Sequence, residues 1–341
     1  MRKGSLPVKL SIIVVVVIAA CGLLTQFSPA SAQSPAANRS GAKLTRVNYG
    51  QITIAAFNWP YLIADREGMF KQQGIDLQKI VGGNTASVSQ ALVAGGTDLA
   101  QMNLVQLLAA NIAGADLVAV AGDVMVPIYT LIVAPSIKTY ADLKGKRIAV
   151  AGPTDPLNYI LQRMTAANKL TPADYQMVPV GGTPDRLSAV LKGAAAGSLI
   201  SQPDDFRAAA NGMGQLGRST DFVDHFQYTV TAARREWLQK NKPITVRFLR
   251  AYVKGCEFFY DPKNREAAIR ILMQETKADR DVAEKTYALY QQTRKTLPQH
   301  GEIDLAGSRI VAENWKEFGL QVKPPPVDGV IDLSYLKEAQ K

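Results

Sequence analysis

The stretch Val81-Gly82-Gly83-Asn84-Thr85-Ala86-Ser87-Val88-Ser89-Gln90-Ala91-Leu92-Val93-Ala94-Gly95-Gly96 decides how the chain is read. An apolar run (Ile75, Leu77, Ile80, Val81) ends at a pair of glycines. A helix then begins, with Asn84 or Thr85 as its cap and Val88, Ala91 and Leu92 as its apolar face. A strand that passes through a glycine turn into a helix leaves backbone N–H groups unpartnered at the positive end of the helix dipole. Such a turn suits an anion or a polar ligand. The phrase returns 99 positions later as Val180-Gly181-Gly182-Thr183-Pro184-Asp185-Arg186-Leu187-Ser188-Ala189-Val190-Leu191. Two readings follow from the turns alone: unrelated βα units that share a glycine turn, or two similar lobes that face one cleft.

Working outward, strand-like runs alternate with helical ones. Strand material near Val47–Ile54 leads to a turn at Phe57-Asn58-Trp59-Pro60 and a helix over about 61–73, with Gly74 as its stop. Short apolar runs at 98–102, 117–121 and 128–134 predict further strands, and 104–112 predicts a helix. Beyond Pro135 come a short helix at 140–146, strands at 147–151, 176–180 and 198–201, and helices at 157–168, 184–191 and 205–210. A strand over 228–232 returns the chain to a helical region over 234–318, in which Phe248, Leu249, Tyr252 and Val253 share one face. This alternation predicts an α/β fold with mostly parallel sheets. In such sheets ligands sit beyond the carboxyl ends of strands.

The first residues read as an export signal: Arg2, Lys3 and Lys9, an apolar core over 10–24, and Ala30-Ser31-Ala32 as the cleavage site. Ile18-Ala19-Ala20-Cys21 offers a competing lipid-anchor site, and plain secretion to the periplasm is the preferred expectation. Residues 33–43 read as a flexible leader. Loss of the first 32 residues leaves 309, with a formal charge of +7 instead of +10. The basic residues are scattered among acids, which argues against a nucleic-acid partner. Cys256 then stands alone in an apolar run, so no internal disulfide is expected. The two histidines, His225 and His300, lack neighbours at metal-site spacing, and no Ser–His or Cys–His pair is in view. The expectations are therefore no metal, no cofactor and no enzymatic activity.

A set of ordered phrases carries a family resemblance. Leu62-Ile63-Ala64-Asp65-Arg66-Glu67-Gly68-Met69-Phe70 precedes Gly74-Ile75-Asp76-Leu77, and Gly82-Gly83-Asn84-Thr85 follows with Asp98-Leu99-Ala100. Tyr140-Ala141-Asp142-Leu143-Lys144-Gly145-Lys146-Arg147-Ile148-Ala149-Val150 is the most specific, and Gly181-Gly182, Arg186-Leu187 and Ser201-Gln202-Pro203 complete the series. Over about 47–320 the chain resembles the extracytoplasmic substrate-binding proteins of ABC transporters. The group is the nitrate, sulfonate and taurine one, which includes thiamine-pyrimidine relatives. It departs from many of them at Gly197, where an acidic residue is common.

The resemblance implies a two-lobed periplasmic-binding fold of the second type. Residues 44–134 with 229–341 would form one lobe and 135–228 the other, hinged on crossing strands at 128–134 and 228–232. It further implies a monomeric receptor that closes on a small-molecule ligand and presents it to membrane permease subunits. The alternatives are a receptor for a thiamine-precursor pyrimidine and a pyrimidine-synthase-type enzyme on the same fold. By position, Asn58, Trp59, Gly83, Asn84, Thr85, Asn103 and Tyr129 would come from the first lobe and hinge. Pro153, Thr154, Asp155, Gln202 and Tyr228 would come from the second. None of these turns carries Arg or Lys, so an anion is expected to rest on backbone N–H groups and neutral side chains. A planar organic acid or heterocycle stacked on Trp59 competes with nitrate or sulfonate.

Overall fold

Ten strands form two separate five-stranded sheets in a computed structural model that describes residues 43–341. In chain order they are β1 (Thr45–Gln51), β2 (Ile75–Val81), β3 (Leu99–Asn103), β4 (Leu117–Val124) and β5 (Tyr129–Val133). There follow β6 (Arg147–Val150), β7 (Gln176–Pro179), β8 (Gly197–Ser201), β9 (Gly214–Arg218) and β10 (Thr229–Arg234). The first sheet has the order β2-β1-β3-β10-β4 and the second β7-β6-β8-β5-β9. The expected signal segment, Cys21 and the leader lie outside the described residues, apart from Lys43. Among the described residues no helix is long and apolar enough to cross a membrane.

Burial explains which runs became inner strands. β3, β4, β5 and β8 are buried at every position, as expected of strands covered on both faces by helices. β2 and β7 lie at sheet edges and leave several residues open to solvent. The helix Lys242–Tyr260 buries Phe248, Leu249, Tyr252, Val253 and Cys256 on one face, so the one cysteine among the described residues is a core residue. Gly68, at φ +68°, breaks the helix expected over 61–73 into Trp59–Arg66 and Met69–Gln72.

Each sheet is mixed, because the strand made after a crossing enters its sheet reversed. β1 runs parallel to β2 and β3, whereas β10 runs antiparallel to β3 and β4. In the second sheet β6 is parallel to β7 and β8, and β5 is antiparallel to β8 and β9. The run 128–134 therefore belongs to the second sheet, which corrects its expected place in the first lobe. Its backbone groups pair with β8 and β9 and with nothing in the first sheet.

The crossings are thus the short segments 125–128 and 222–228 and not the strands themselves. They are tied together where Tyr228 N donates to Val124 O at 3.0 Å and Gln227 Nε2 donates to the same carbonyl at 3.1 Å. Ser219 Oγ donates to Pro127 O at 2.6 Å and accepts from Tyr129 N at 2.8 Å. These bonds hold the carboxyl ends of both sheets toward a single cleft.

Candidate functional site

The two glycine turns meet across that cleft. A Cβ added at Gly182 would lie 2.8 Å from the carbonyl oxygen of Gly83, so the turns approach as closely as glycine allows. Gly83 (φ +77°) and Gly181 (φ +115°) take backbone conformations that other residues rarely adopt. Asn84 caps the helix Thr85–Val93, its Oδ1 accepting from Ser87 N at 2.9 Å. The helix Thr183–Leu191 starts at Gly182 with no side-chain cap. The sequence echo has become two opposed helix N-termini.

Between them lies a cavity of about 230 Å³. Of the residues expected at the site, Gly83, Asn84, Thr85, Tyr129, Pro153, Thr154, Asp155 and Tyr228 line it. The Tyr129 and Tyr228 hydroxyls are 3.4 Å apart and their rings cross edge to face, so one wall is formed where β5 and the second crossing meet. Burial raises the pKa of both phenols, most strongly that of Tyr228, and keeps them protonated hydrogen-bonding groups. Asn158 Nδ2 donates to Gly152 O and Pro153 O and fixes the loop that carries Thr154.

Four expected residues lie elsewhere. Trp59 is wholly buried, packs against Phe259, Tyr287 and Tyr290, and donates its indole N–H to Ala268 O at 2.9 Å. It anchors the C-terminal helices and offers no stacking face to the cavity. Asn58 is buried and spends its amide on Gln101 Oε1 and Ala55 N. Gln202 donates to Asp205 Oδ2 at 2.7 Å and accepts from Tyr290 OH at 3.3 Å. Asn103 stands behind the lining, where its Oδ1 accepts from Thr85 Oγ1 at 3.3 Å.

The residue that sequence reasoning missed is Arg186. It lines the cavity, is 3% exposed, and supplies the cation that the turns were expected to lack. Nε donates to Ser198 Oγ, Nη1 to Gly181 O at 2.6 Å, and Nη2 to Thr183 Oγ1 and Leu199 O. Four of its five N–H groups are thereby used on neutral acceptors, and among the described residues no carboxylate forms a salt bridge with it. The signal was present in helical periodicity. Position 186 lies one turn into the helix that Gly182 starts, so its side chain can reach back over that turn.

Asp155 is the other charged residue of the lining. It caps the helix Pro156–Ala167 through Oδ1, which accepts from Leu157 N at 2.9 Å. Burial raises its pKa, and the Leu157 N–H and the nearby Arg186 charge oppose that rise. The cavity lining also includes Ile52, Thr53, Phe57 and Gln106, and contains no Cys, His or Lys. A larger open groove of about 1370 Å³ lies away from both turns, between the end of the helix Leu104–Ile112 and the Trp315–Val330 segment. Neither glycine turn nor the helix that follows it takes part in its lining.

The profile of the NMT1/THI5-like family matches residues 58–265, a span that takes in both glycine turns and most of the cavity lining. The chain belongs to the NMT1/THI5-like family. No curated protein matches it. Among solved structures, this NMT1/THI5-like chain is similar to the zinc-bound ligand-binding component of an ABC-type import system from Staphylococcus aureus. The TM-score is 0.72 at 16% identity, over 86% of this chain and 98% of that one. It is also similar to the alkanesulfonate-binding protein SsuA of Xanthomonas axonopodis pv. citri bound to MOPS, with TM-score 0.70 at 19% identity, over 86% and 99%. The nitrate-binding protein NrtA of a Synechocystis strain superposes with TM-score 0.68 at 14% identity, over 87% and 88%. These likenesses establish the two-lobed periplasmic-binding fold for this NMT1/THI5-like protein.

Proposed function

We propose that the protein is the extracytoplasmic solute receptor of an ABC importer and closes its lobes around a small organic anion. The observation that carries this reading is the cavity at the meeting point of the two glycine turns, lined by residues from both sheets and by Tyr228 of the second crossing. A ligand there touches both lobes at once, so its binding free energy can favour the closed arrangement over the open one. A permease can then distinguish loaded from empty receptor by shape. The neighbours named for alkanesulfonate, nitrate and ABC import share the fold and support the same use.

The competing enzyme reading finds less support. The cavity lining has no cysteine, histidine or lysine to act as nucleophile or base. Among the described residues no group of three or more His, Cys, Asp or Glu side chains is placed to hold a metal ion. A pyrimidine would also have to bind without Trp59, whose ring is enclosed in the core.

Thermal-shift and calorimetric screening of the whole chain tests the reading, using sulfonates, nitrate, short carboxylic acids and pyrimidines. At least one compound is expected to bind with sub-millimolar affinity and to raise the melting temperature increasingly with concentration. Absence of any shift across the panel would overturn the receptor assignment.

A further inference from the structure

Among the described residues that line the cavity, Asp155 and Arg186 alone carry a formal charge. Asp155 is 9% exposed and Arg186 3%, and among the described residues neither forms a salt bridge. Asp155 spends Oδ1 on the cap of its helix, and its Oδ2 has no hydrogen-bond partner among the described residues. Three other titratable groups share the cavity with it: Arg186 from the helix Thr183–Leu191, the Tyr129 phenol from β5 and the Tyr228 phenol from the second crossing. Burial keeps both phenols protonated. The first sheet and its turns add only uncharged residues. Asp185 is exposed and outside the lining. On the helix that Asp155 caps, Tyr159 packs against Phe226 and Phe318, and Arg163 is exposed and pairs with Glu317.

Arg186 and an ionised Asp155 sum to zero. A monoanion set beside Arg186 gives a cavity of about 230 Å³ one uncompensated negative charge, which burial makes costly. A second cation or the loss of the Asp155 charge would restore the balance. Among the described residues no lysine, histidine or second arginine lines the cavity to supply the first. The second needs only a proton from solvent. Burial already pushes the Asp155 carboxyl up, opposed by the Leu157 N–H and by the Arg186 charge. An anion on Arg186 cancels part of that opposition and adds its own repulsion. Once protonated, Asp155 keeps Oδ1 as the acceptor of the cap bond, and Oδ2 changes from acceptor to donor.

We propose that the site captures a proton together with its anion: Asp155 is ionised in the free receptor and protonated in the complex, where its Oδ2–H donates to the bound anion. This rests on the receptor reading above and adds the regulation of that same site. Affinity then depends on pH even when the ligand and Arg186 keep fixed charges. The sign follows from linkage. The complex holds a proton that the free receptor lacks, so affinity is greatest below the pKa of the free Asp155 carboxyl. It declines as pH rises toward the pKa in the complex.

Calorimetric titration of the whole chain with nitrate and ethanesulfonate tests it, because both stay ionised from about pH 5 to about pH 8. Any other anion of the panel that binds is titrated in the same way. Buffers with different heats of ionisation count the protons exchanged. Uptake approaching about one proton per anion is expected, with affinity falling by up to about tenfold per pH unit, the slope of one linked proton. Asp155→Asn is the informative variant. Asparagine caps a helix as well as aspartate does, so the fold is kept. In Asp155→Asn the uptake and the slope should both vanish, and affinity should stay near the low-pH value of the wild type. No uptake in the wild type at any pH overturns the proposal without reference to the variant. An equal slope in Asp155→Asn overturns it as well. If only uncharged compounds bind, this inference fails and the receptor reading stands. Silence from the whole panel overturns both.

Discussion

Trp59 shows how far a single residue can be misjudged without its distant neighbours. An aromatic beside a turn, just before a helix, has the sequence setting of a cleft-lining residue. Its actual partners, Phe259, Tyr287 and Tyr290, are about 200 or more positions away in sequence and carry no local mark of the contact. Arg186 is the opposite case, with its signal close at hand. Reading only the glycine turns stopped four residues short of the guanidinium that reaches back to Gly181. The burial of Trp59 makes a definite prediction. Trp59→Ala should cost about 3–5 kcal/mol through the cavity it leaves and the lost indole bond. Chemical denaturation should show that loss. Ligand affinity, measured on the folded fraction by calorimetry, should stay within about twofold, a small free-energy difference. A large selective loss of affinity with unchanged stability would return Trp59 to the binding site.

At the scale of elements the sequence was most legible where one strand or helix had a strong local pattern. The helix Leu104–Ile112 and the strand Ile75–Val81 have the expected bounds. β9 (Gly214–Arg218) escaped because GQLGR has two glycines and no alternation, and its existence depends on pairing with β5. Sheet membership was illegible for the same reason. Nothing inside 128–134 says which of two sheets it will join. Long-range pairing also creates the buried polar knot at β4 and β10. Asp123 Oδ1 accepts from Tyr61 OH at 2.8 Å and from Thr231 Oγ1 at 2.7 Å, and its Oδ2 has no partner.

Burial raises the pKa of Asp123 from 3.8 to about 7, against the pull of those two hydroxyls. The folded state therefore holds its proton more tightly than the unfolded chain does. Stability should be greatest below pH 3.8 as far as this group is concerned, and should decline until about pH 7. The full loss is on the order of 4 kcal/mol from the size of the shift. Burial also raises the pKa values of Asp155 and Asp205, which adds slope of the same sign. Denaturation midpoints at pH 5 and pH 8 should therefore differ, and Asp123→Asn should flatten the difference. An equal slope in wild type and Asp123→Asn would mean that the carboxyl is already ionised in the fold.

For the molecule as a whole, the receptor reading requires the two sheets to move relative to one another about the crossings at 125–128 and 222–228. Contact between the turns is the point where such motion would end. Gly182 has φ −65°, which alanine adopts without strain, so the only penalty of Gly182→Ala is steric. Its Cβ would sit 2.8 Å from Gly83 O, across the cleft, and would obstruct closure without burdening either lobe alone. Overpacking of this kind costs about 1–3 kcal/mol. If ligand binding draws on closure, affinity should fall by roughly 5- to 150-fold, the equivalent of that cost. The melting temperature without ligand should stay within about two degrees, because the open molecule can separate the turns. Small-angle scattering supplies the second readout. Ligand should contract the wild-type protein and contract Gly182→Ala less at equal saturation. Undiminished affinity and full contraction in Gly182→Ala would show that the two turns do not have to meet when the site is filled. The sequence echo would then be a shared way of starting a helix, without a role in capture.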